Sequence, residues 1–355
     1  MSLEKYKNPL THTSQFVMCG NCFRMDTYKG CSFGCTYCFA NYRPWLTKQV
    51  QQVSDINLVR KWFYEALELN DTSNIKKEML NRRVPIHLGG MADPFQTLEW
   101  EYGATYEFLK LTKEYNYPVN MSTKTAHLPD KYWEVLDPNI HTFSISLLGY
   151  SDDYVKKWET NTPMATERIK FIEELKSRGF WVSIRIQPII DIDEVLLLIK
   201  NSEHLVDFYT VEHLKIPMNN PKMAKLVLGK LENPTLLKPF EGEWWFDPKY
   251  KIKNIERIKE STKVKIGCGD DDLHIMSDTL NCCGIDTMPS AFENWYKYNS
   301  MYIKLTGDRS QWSPQNNCTS CLNSKCVVKG MKTMKEYTDR YYLKHYGDDN
   351  QLTLF

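Results

Sequence analysis

The chain has 355 residues, of which 42% are hydrophobic and 25% charged. This composition excludes a disordered or collagen-like polymer and suits about two domains, or one large α/β domain with an appendage. Lys and Arg number 45 against 44 Asp and Glu, so the net charge of +1 provides no overall field toward nucleic acid or membrane.

The longest purely aliphatic run, Val195 to Ile199, is far short of the ~18 apolar residues of a membrane span. The polar opening MSLEKYKNPLTHTSQ lacks the apolar core of a secretory signal, and the expected location is the cytoplasm. Eleven cysteines are many for such a compartment, where clustered thiols bind metal more often than they form disulfides. No cysteine falls between residues 39 and 267, which points to assembled sites rather than a general thiol habit.

In chain order, segment 1–22 carries Cys19-Gly-Asn-Cys22, which completes a metal site, acts as a redox pair or is idle. A strand over 23–28 leads into Gly30-Cys31-Ser-Phe-Gly34-Cys35-Thr-Tyr37-Cys38-Phe39. Three thiolates spaced C-x3-C-x2-C can wrap one cluster, and Gly30 and Gly34 give a tight loop its φ > 0 freedom. Three ligands on a four-iron cube leave one iron open for a substrate; a zinc ion would take a fourth ligand, from Cys19 or Cys22.

This loop resembles the cluster-binding loop of the radical S-adenosylmethionine (radical SAM) superfamily, in which an aromatic residue, here Tyr37, commonly precedes the third cysteine. The adjoining Asp26-Thr-Tyr-Lys-Gly-Cys31 resembles the spore-photoproduct-lyase-like branch, and the likeness runs over about residues 24–215. The resemblance implies an α/β fold, a partial (β/α)6 TIM-type barrel. It also implies a [4Fe-4S] cluster on Cys31, Cys35 and Cys38, with S-adenosylmethionine on the open iron. One-electron cleavage then gives methionine and a 5′-deoxyadenosyl radical that abstracts hydrogen from a substrate. The electron comes from a donor such as flavodoxin or ferredoxin.

Alternating elements should follow, and the pattern predicts them. A helix is expected over 56–69, and strands over 84–88, 118–122, 142–147, 182–187 and 207–211. Between these strands, helices are expected over 102–115, 129–135, 166–177 and 193–200. In the third of these, Ile169, Phe171, Ile172 and Leu175 recur at helical spacing. The barrel occupies 23–217 and a C-terminal extension 218–355.

Barrel sites lie at the C-terminal strand ends. There, Gly89-Gly90-Met91-Ala92-Asp93-Pro94 follows the second strand, where the family receives the methionine amino group on backbone carbonyls; a plain turn is the alternative. Thr123 and Lys124 end the third strand. Ser144 and Ser146, on the fourth, either contact the cofactor ribose or carboxylate or are ordinary barrel polar residues. Arg168, opposite Glu159 in the stretch ETNTPMATER, would hold the cofactor carboxylate or form a helix-start ion pair. Tyr37, Gly89, Gly90, Asp93, Ser144, Ser146 and Arg168 are thus the expected cofactor contacts. Arg185, which shares inward parity with Gln187, together with Glu212 and His274, are candidates for catalysis.

The extension holds Cys268, Cys282 and Cys283, and the array Cys318-Thr-Ser-Cys321-Leu-Asn-Ser-Lys-Cys326. A second site on Cys318, Cys321, Cys326 and one of Cys268, Cys282 or Cys283 would hold an auxiliary iron–sulfur cluster or a structural zinc; otherwise these are free thiols. A strand is expected over 264–267, followed by the acidic run Gly269-Asp270-Asp271-Asp272. Between residues 213 and 265 there are 12 Lys and Arg against 6 Asp and Glu, with Trp244 and Trp245 among them. This is a solvated face or a contact for a polyanion with base-stacking rings. The expected function is therefore radical chemistry on a nucleic acid or nucleotide. The alternatives are a peptide or small metabolite as substrate, or a zinc-stabilised binding module without catalysis.

Overall fold

Inward and outward residues alternate along seven parallel strands, and that alternation builds the barrel. The computed structural model describes residues 3–12, 19–42, 51–240, 242–270 and 272–298. The strands are β1 (Phe23–Met25), β2 (Ile86–Leu88), β3 (Val119–Thr123), β4 (His141–Ser146), β5 (Val182–Ile189), β6 (Phe208–His213) and β7 (Ile266–Cys268). They lie in sequence order across one eight-stranded sheet, with Leu10–His12 added antiparallel on β1. Every other neighbouring pair is parallel, the arrangement of a partial TIM-type barrel.

Residues such as Met25, Leu88, Met121, Ile145, Ile184, Val211 and Ile266 point outward and are fully buried beneath the helices. They meet α1 (Ile56–Leu67), α2 (Ile75–Asn81), α4 (Ala104–Glu114), α5 (Asp152–Trp158), α6 (Ala165–Ser177) and α7 (Ile192–Ser202), while α3 (Thr97–Tyr102) packs on Tyr28, Val53 and Ala92. The helix expected over 102–115 is α4, which starts after Gly103; that glycine, in the left-handed region at φ +63°, ends α3 and caps α4. Residues 130–134 form a 3₁₀ turn in place of the expected helix.

The inward face is polar. Register aligns Arg24 with His87, Asn120 and Thr142, and higher up Ser146 with Arg185, Thr210 and Gly267. A second apolar cluster of Trp181, Phe208, Cys283, Ile285, Met288, Phe292 and Trp295 closes the N-terminal end of the strands. It presses so closely on β7 that a Cβ at Gly267 would lie 2.3 Å from the Cys282 carbonyl oxygen. The sheet thus draws its seventh strand from beyond residue 217. Residues 215–246 add a small antiparallel sheet, Lys215–Pro217, Leu237–Phe240 and Glu243–Phe246, with α8 (Pro221–Leu228) between its first two strands in the chain and α9 (Pro248–Ser261) after its last. Among the described residues no helix is long and apolar enough to cross a membrane.

His141 opens β4 fully buried; its Nδ1 accepts from the Asp137 N–H at 3.0 Å and its Nε2 meets Thr112 Oγ1 at 3.1 Å. Burial pushes its pKa down to about 3. The unfolded chain takes up this proton below the ordinary value of 6.5, whereas the folded ring resists until about 3. Stability is therefore lost as pH falls from 6.5 toward 3, at a limit of ~1.4 kcal/mol per pH unit. Substitution of His141 by Gln is expected to flatten that part of the stability–pH curve, measured by urea unfolding.

Candidate functional site

The cysteine loop lies over the C-terminal ends of β2 and β3, and side chains from distant parts of the chain stitch it there. Gln96, wholly buried, grips it twice: its Nε2 donates to the Gly30 carbonyl at 2.9 Å and its Oε1 accepts from the Ser32 N–H at 2.8 Å. The Thr36 N–H donates to the Trp158 carbonyl at 2.9 Å, Lys230 Nζ reaches Thr36 Oγ1 at 2.8 Å, and Asn161 Nδ2 reaches the Ser32 carbonyl at 3.3 Å. Gly30 and Gly34 have φ +81° and +61°, the conformation their positions in the loop required.

Cys35 is buried, Cys38 half-buried and Cys31 exposed, and the three thiols lie within electrostatic reach of one another. Cys31 lies within electrostatic reach of Asp93. Desolvation, with the Asp93 charge, pushes this thiol up to about 11. Desolvation also raises Cys35, although Lys124 opposes it. Neutral thiols of this kind release protons when they take a metal. Among the described residues, no three of His, Cys, Asp or Glu are gathered for one bare ion. The donor set is three sulfurs within reach of one another, one fewer than a closed tetrahedral zinc takes and the number that leaves one iron of a four-iron cube open.

Beneath the loop lies a buried charge network. Tyr37 donates its hydroxyl proton to Glu159 Oε1, Lys124 Nζ stands 3.3 Å from the same oxygen, and Arg168 Nη2 is 2.6 Å from Oε2. Burial alone would raise the pKa of Glu159; the charges of Arg168 and Lys124 and the Tyr37 hydroxyl outweigh it and hold the carboxyl at about 2. Arg168, with no exposed surface, spends its remaining donors on the Ser146 carbonyl at 2.8 Å, the Pro163 carbonyl and the Thr162 hydroxyl. Of the two expected roles for Arg168, the observed one is the ion pair.

Asp93 is likewise occupied. Its Oδ1 accepts from the Phe95 N–H and the Thr123 hydroxyl, and its Oδ2 from the Lys124 N–H, at 2.7–2.9 Å. It ties the β2 turn to the end of β3. Gly89 has φ +91°, and a Cβ there would lie 2.5 Å from the Ser122 carbonyl. Substitution of Gly89 by Ala is expected to cost roughly 3 kcal/mol, read by thermal or chemical unfolding. At Gly90 a Cβ would meet Arg24 Cδ at 3.0 Å. Asp26 secures the turn from β1, accepting from the Met91 N–H at 2.7 Å. Nothing in the isolated sequence marks Gln96, Asp26 or Lys230 for these tasks.

On the inner wall, Ser144 donates to Asn120 Oδ1 at 3.2 Å and lies 2.9 Å from Ser183 Oγ, both buried. Ser146, Arg185, Gln187 and Glu212 sit higher and are only partly buried, so the wall opens to solvent at its upper rim. Glu212 pairs with Lys215 at 2.9 Å. His274 is buried in the turn His274–Met276, not on a strand end.

The cysteines of the extension part company. Cys268 faces outward, its Sγ 3.7 Å from Asp270 Oδ2, beside the His213–Asp270 contact of 2.7 Å and the Lys251–Asp272 pair at 2.6 Å. Cys283 lies in the apolar plug with its Sγ 2.7 Å from Asn281 Oδ1. Cys282 shares the inner wall with Cys19, next to Gly20, whose Cβ would lie 2.9 Å from the Asn281 side chain. Cys22 is buried in the main core. Cys318, Cys321 and Cys326 lie outside the described residues.

In the basic stretch, Lys215 pairs with Glu212, Lys251 with Asp272, Arg257 with Asp193 and Lys259 with Asp278. All four acids lie outside the stretch, so much of its excess charge is met within the protein. Trp245 is buried, with Lys215 and Lys251 at 4.9 and 4.8 Å from its ring, so it is not a free stacking surface.

Residues 25–195 match the family model described as the Radical SAM superfamily. No curated protein matches the chain by sequence. Among solved structures, the fold is similar to a mutant of spore photoproduct lyase with a TM-score of 0.56 and 11% identity, covering 72% of this chain and 77% of that one. It is also similar to another mutant of that enzyme with bound AdoMet and dinucleoside spore photoproduct, at a TM-score of 0.52 and 13% identity, covering 71% and 75%.

Proposed function

We propose that the chain is a radical SAM enzyme, on the match of residues 25–195 to that superfamily's model, and that Cys31, Cys35 and Cys38 hold a [4Fe-4S] cluster whose open iron takes S-adenosylmethionine. When bound, this pair supplies one-electron cleavage of the sulfonium and a carbon radical that removes a hydrogen atom from the substrate. The observation that carries the reading is the placement of three clustered thiols over the C-terminal strand ends, where barrel enzymes do their chemistry.

The protein's own residues hold and orient. Gln96 and the Tyr37–Glu159 bond fix the loop against the mouth. The carbonyls of the Gly89–Gly90 turn, shaped by Asp26 and Asp93, would take the methionine amino group. Ser146 stands at the open rim, whereas Ser144 is spent on Asn120. Arg168 and Lys124 act as positioning residues through Glu159. Internal pairing of the basic stretch favours a small substrate inside the barrel over an extended polyanion along its flank.

The test is anaerobic reconstitution with iron and sulfide, then addition of dithionite and S-adenosylmethionine. Formation of 5′-deoxyadenosine that depends on the loop cysteines supports the proposal. A colourless, zinc-loaded protein with no such product overturns it.

A further inference from the structure

Arg24 and Arg185 project inward from β1 and β5, on opposite sides of the barrel. The stem of Arg24 runs up beneath the β2 turn, where its Cδ lies 3.0 Å from the position of a Gly90 Cβ, and its Nη1 is 4.0 Å from Met91 Sδ. Arg185 stands level with Ser146 and Thr210 near the open rim. Both cations act on the same two groups, the His87 ring and the Cys19 thiol, so they share one space.

Among the described residues neither guanidinium has a carboxylate at ion-pair distance, and Arg24 Nε is buried with no hydrogen-bond partner. Two half-buried cations that face one space without a counter-charge repel each other, and arginines drawn partly out of water are seldom left unpaired.

The anions nearby do not fill the gap. Glu212 is 2.9 Å from Lys215, and Asp26 is taken by the backbone N–H groups of Met91 and Ala92. Cys19 and Cys282 are held protonated by burial, Cys282 at about 12. His87, lowered by burial to about 3, is neutral and bonded to Ser122 Oγ at 2.7 Å. One further polar atom is orphaned on this wall: Gln187 Oε1 is buried with no donor.

We propose that Arg24 and Arg185 form an anion subsite for the substrate, which brings a phosphate or carboxylate between them and a hydroxyl or amine hydrogen to Gln187 Oε1. The inference deepens the proposed function and rests on its reading of the barrel interior as the substrate cavity. The cofactor carboxylate is the other source of such an anion. Its place is set by the thiol loop, whose neighbours are Asp93, Lys124 and Glu159; Arg24 lies against the Gly90–Met91 turn, whereas Arg185 gathers with Cys19, Cys282 and Glu212, so titration of S-adenosylmethionine beside phosphate separates the two sources.

The experiment uses the full chain after anaerobic reconstitution, with iron content measured for every variant. Inorganic phosphate is titrated by calorimetry into the unaltered protein and into Arg24→Gln, Arg185→Gln and Arg185→Lys, and S-adenosylmethionine is titrated in parallel. Each Gln variant is expected to lose roughly tenfold or more in phosphate affinity and Arg185→Lys less, because lysine keeps the charge without the fork. If Arg24→Gln does not fold, Arg24→Lys replaces it with the same direction of effect.

Equal phosphate binding in all variants overturns the subsite. A loss confined to S-adenosylmethionine assigns the anion to the cofactor and also overturns it. Because phosphate binding needs no turnover, a failure of cleavage chemistry with phosphate binding intact strikes the proposed function and not the arginine pair.

Discussion

Substitution of Cys35 by Ala is expected to drop iron from about four atoms per chain to a background level and to abolish 5′-deoxyadenosine formation, while the barrel stays folded. Cys35 is the buried member of the trio, and its sulfur faces Lys124 and Glu159. The loop owes its shape to Gln96 and to the Trp158 carbonyl as well as to metal, so loss of one thiol should leave its path intact. Iron and sulfide assays, the visible spectrum and circular dichroism on one preparation separate the two effects. A variant that kept its iron and its product would refute the assignment of the loop. A graded companion is Tyr37→Phe, which removes one hydrogen bond to Glu159 and leaves all three ligands. An outer partner of that kind is worth roughly 10–100-fold in metal affinity or activity.

Substitution of Glu159 by Ala should cost about 3–5 kcal/mol of stability, because two buried cations lose their shared anion. Arg168 and Glu159 are both fully buried, and Lys124 stands 3.3 Å from the same carboxylate. Denaturant unfolding reads the loss. Glu159→Ala with Arg168→Ala should be less harmful than the sum of the two, since the second change removes a charge that the first left unpaired. Strict additivity would show that the pair does not act as a unit. The pH dependence has a definite sign. The carboxyl pKa falls from the ordinary 4.5 to about 2, so its stabilisation is complete above 4.5 and disappears as the pH drops toward 2. In Glu159→Gln that acid window should carry a smaller slope.

The barrel was legible because its signals are local. Short apolar strands, the helical spacing of Ile169, Phe171, Ile172 and Leu175, and turn glycines act within a few residues, and the observed strands fall within about two residues of their expected bounds. The helix expected over 102–115 is observed over 104–114, while the short helix before Gly103 carried too few residues to show a period. The C-x3-C-x2-C loop was legible for the same reason, as its chemistry is written in eight consecutive residues.

What the site does with its second layer was not legible. From chain position Asp93 is expected at the cofactor, and Arg168 there or in an ion pair; folded, Asp93 is bonded to the Thr123 hydroxyl and the Lys124 N–H, and Arg168 is paired with Glu159. Gln96 and Asp26 carried no signal, since a buried amide or carboxylate acquires its task only from the backbone groups that happen to face it.

By itself, the sequence determined the parallel α/β barrel, the thiol loop and the class of chemistry, all of which depend on spacing along the chain. Only the tertiary structure decided which charges are consumed by protein partners and which are left over. Ion pairing depends on distance in space, and Lys124, Glu159 and Arg168 are brought together by a strand end and helices that the linear order keeps apart.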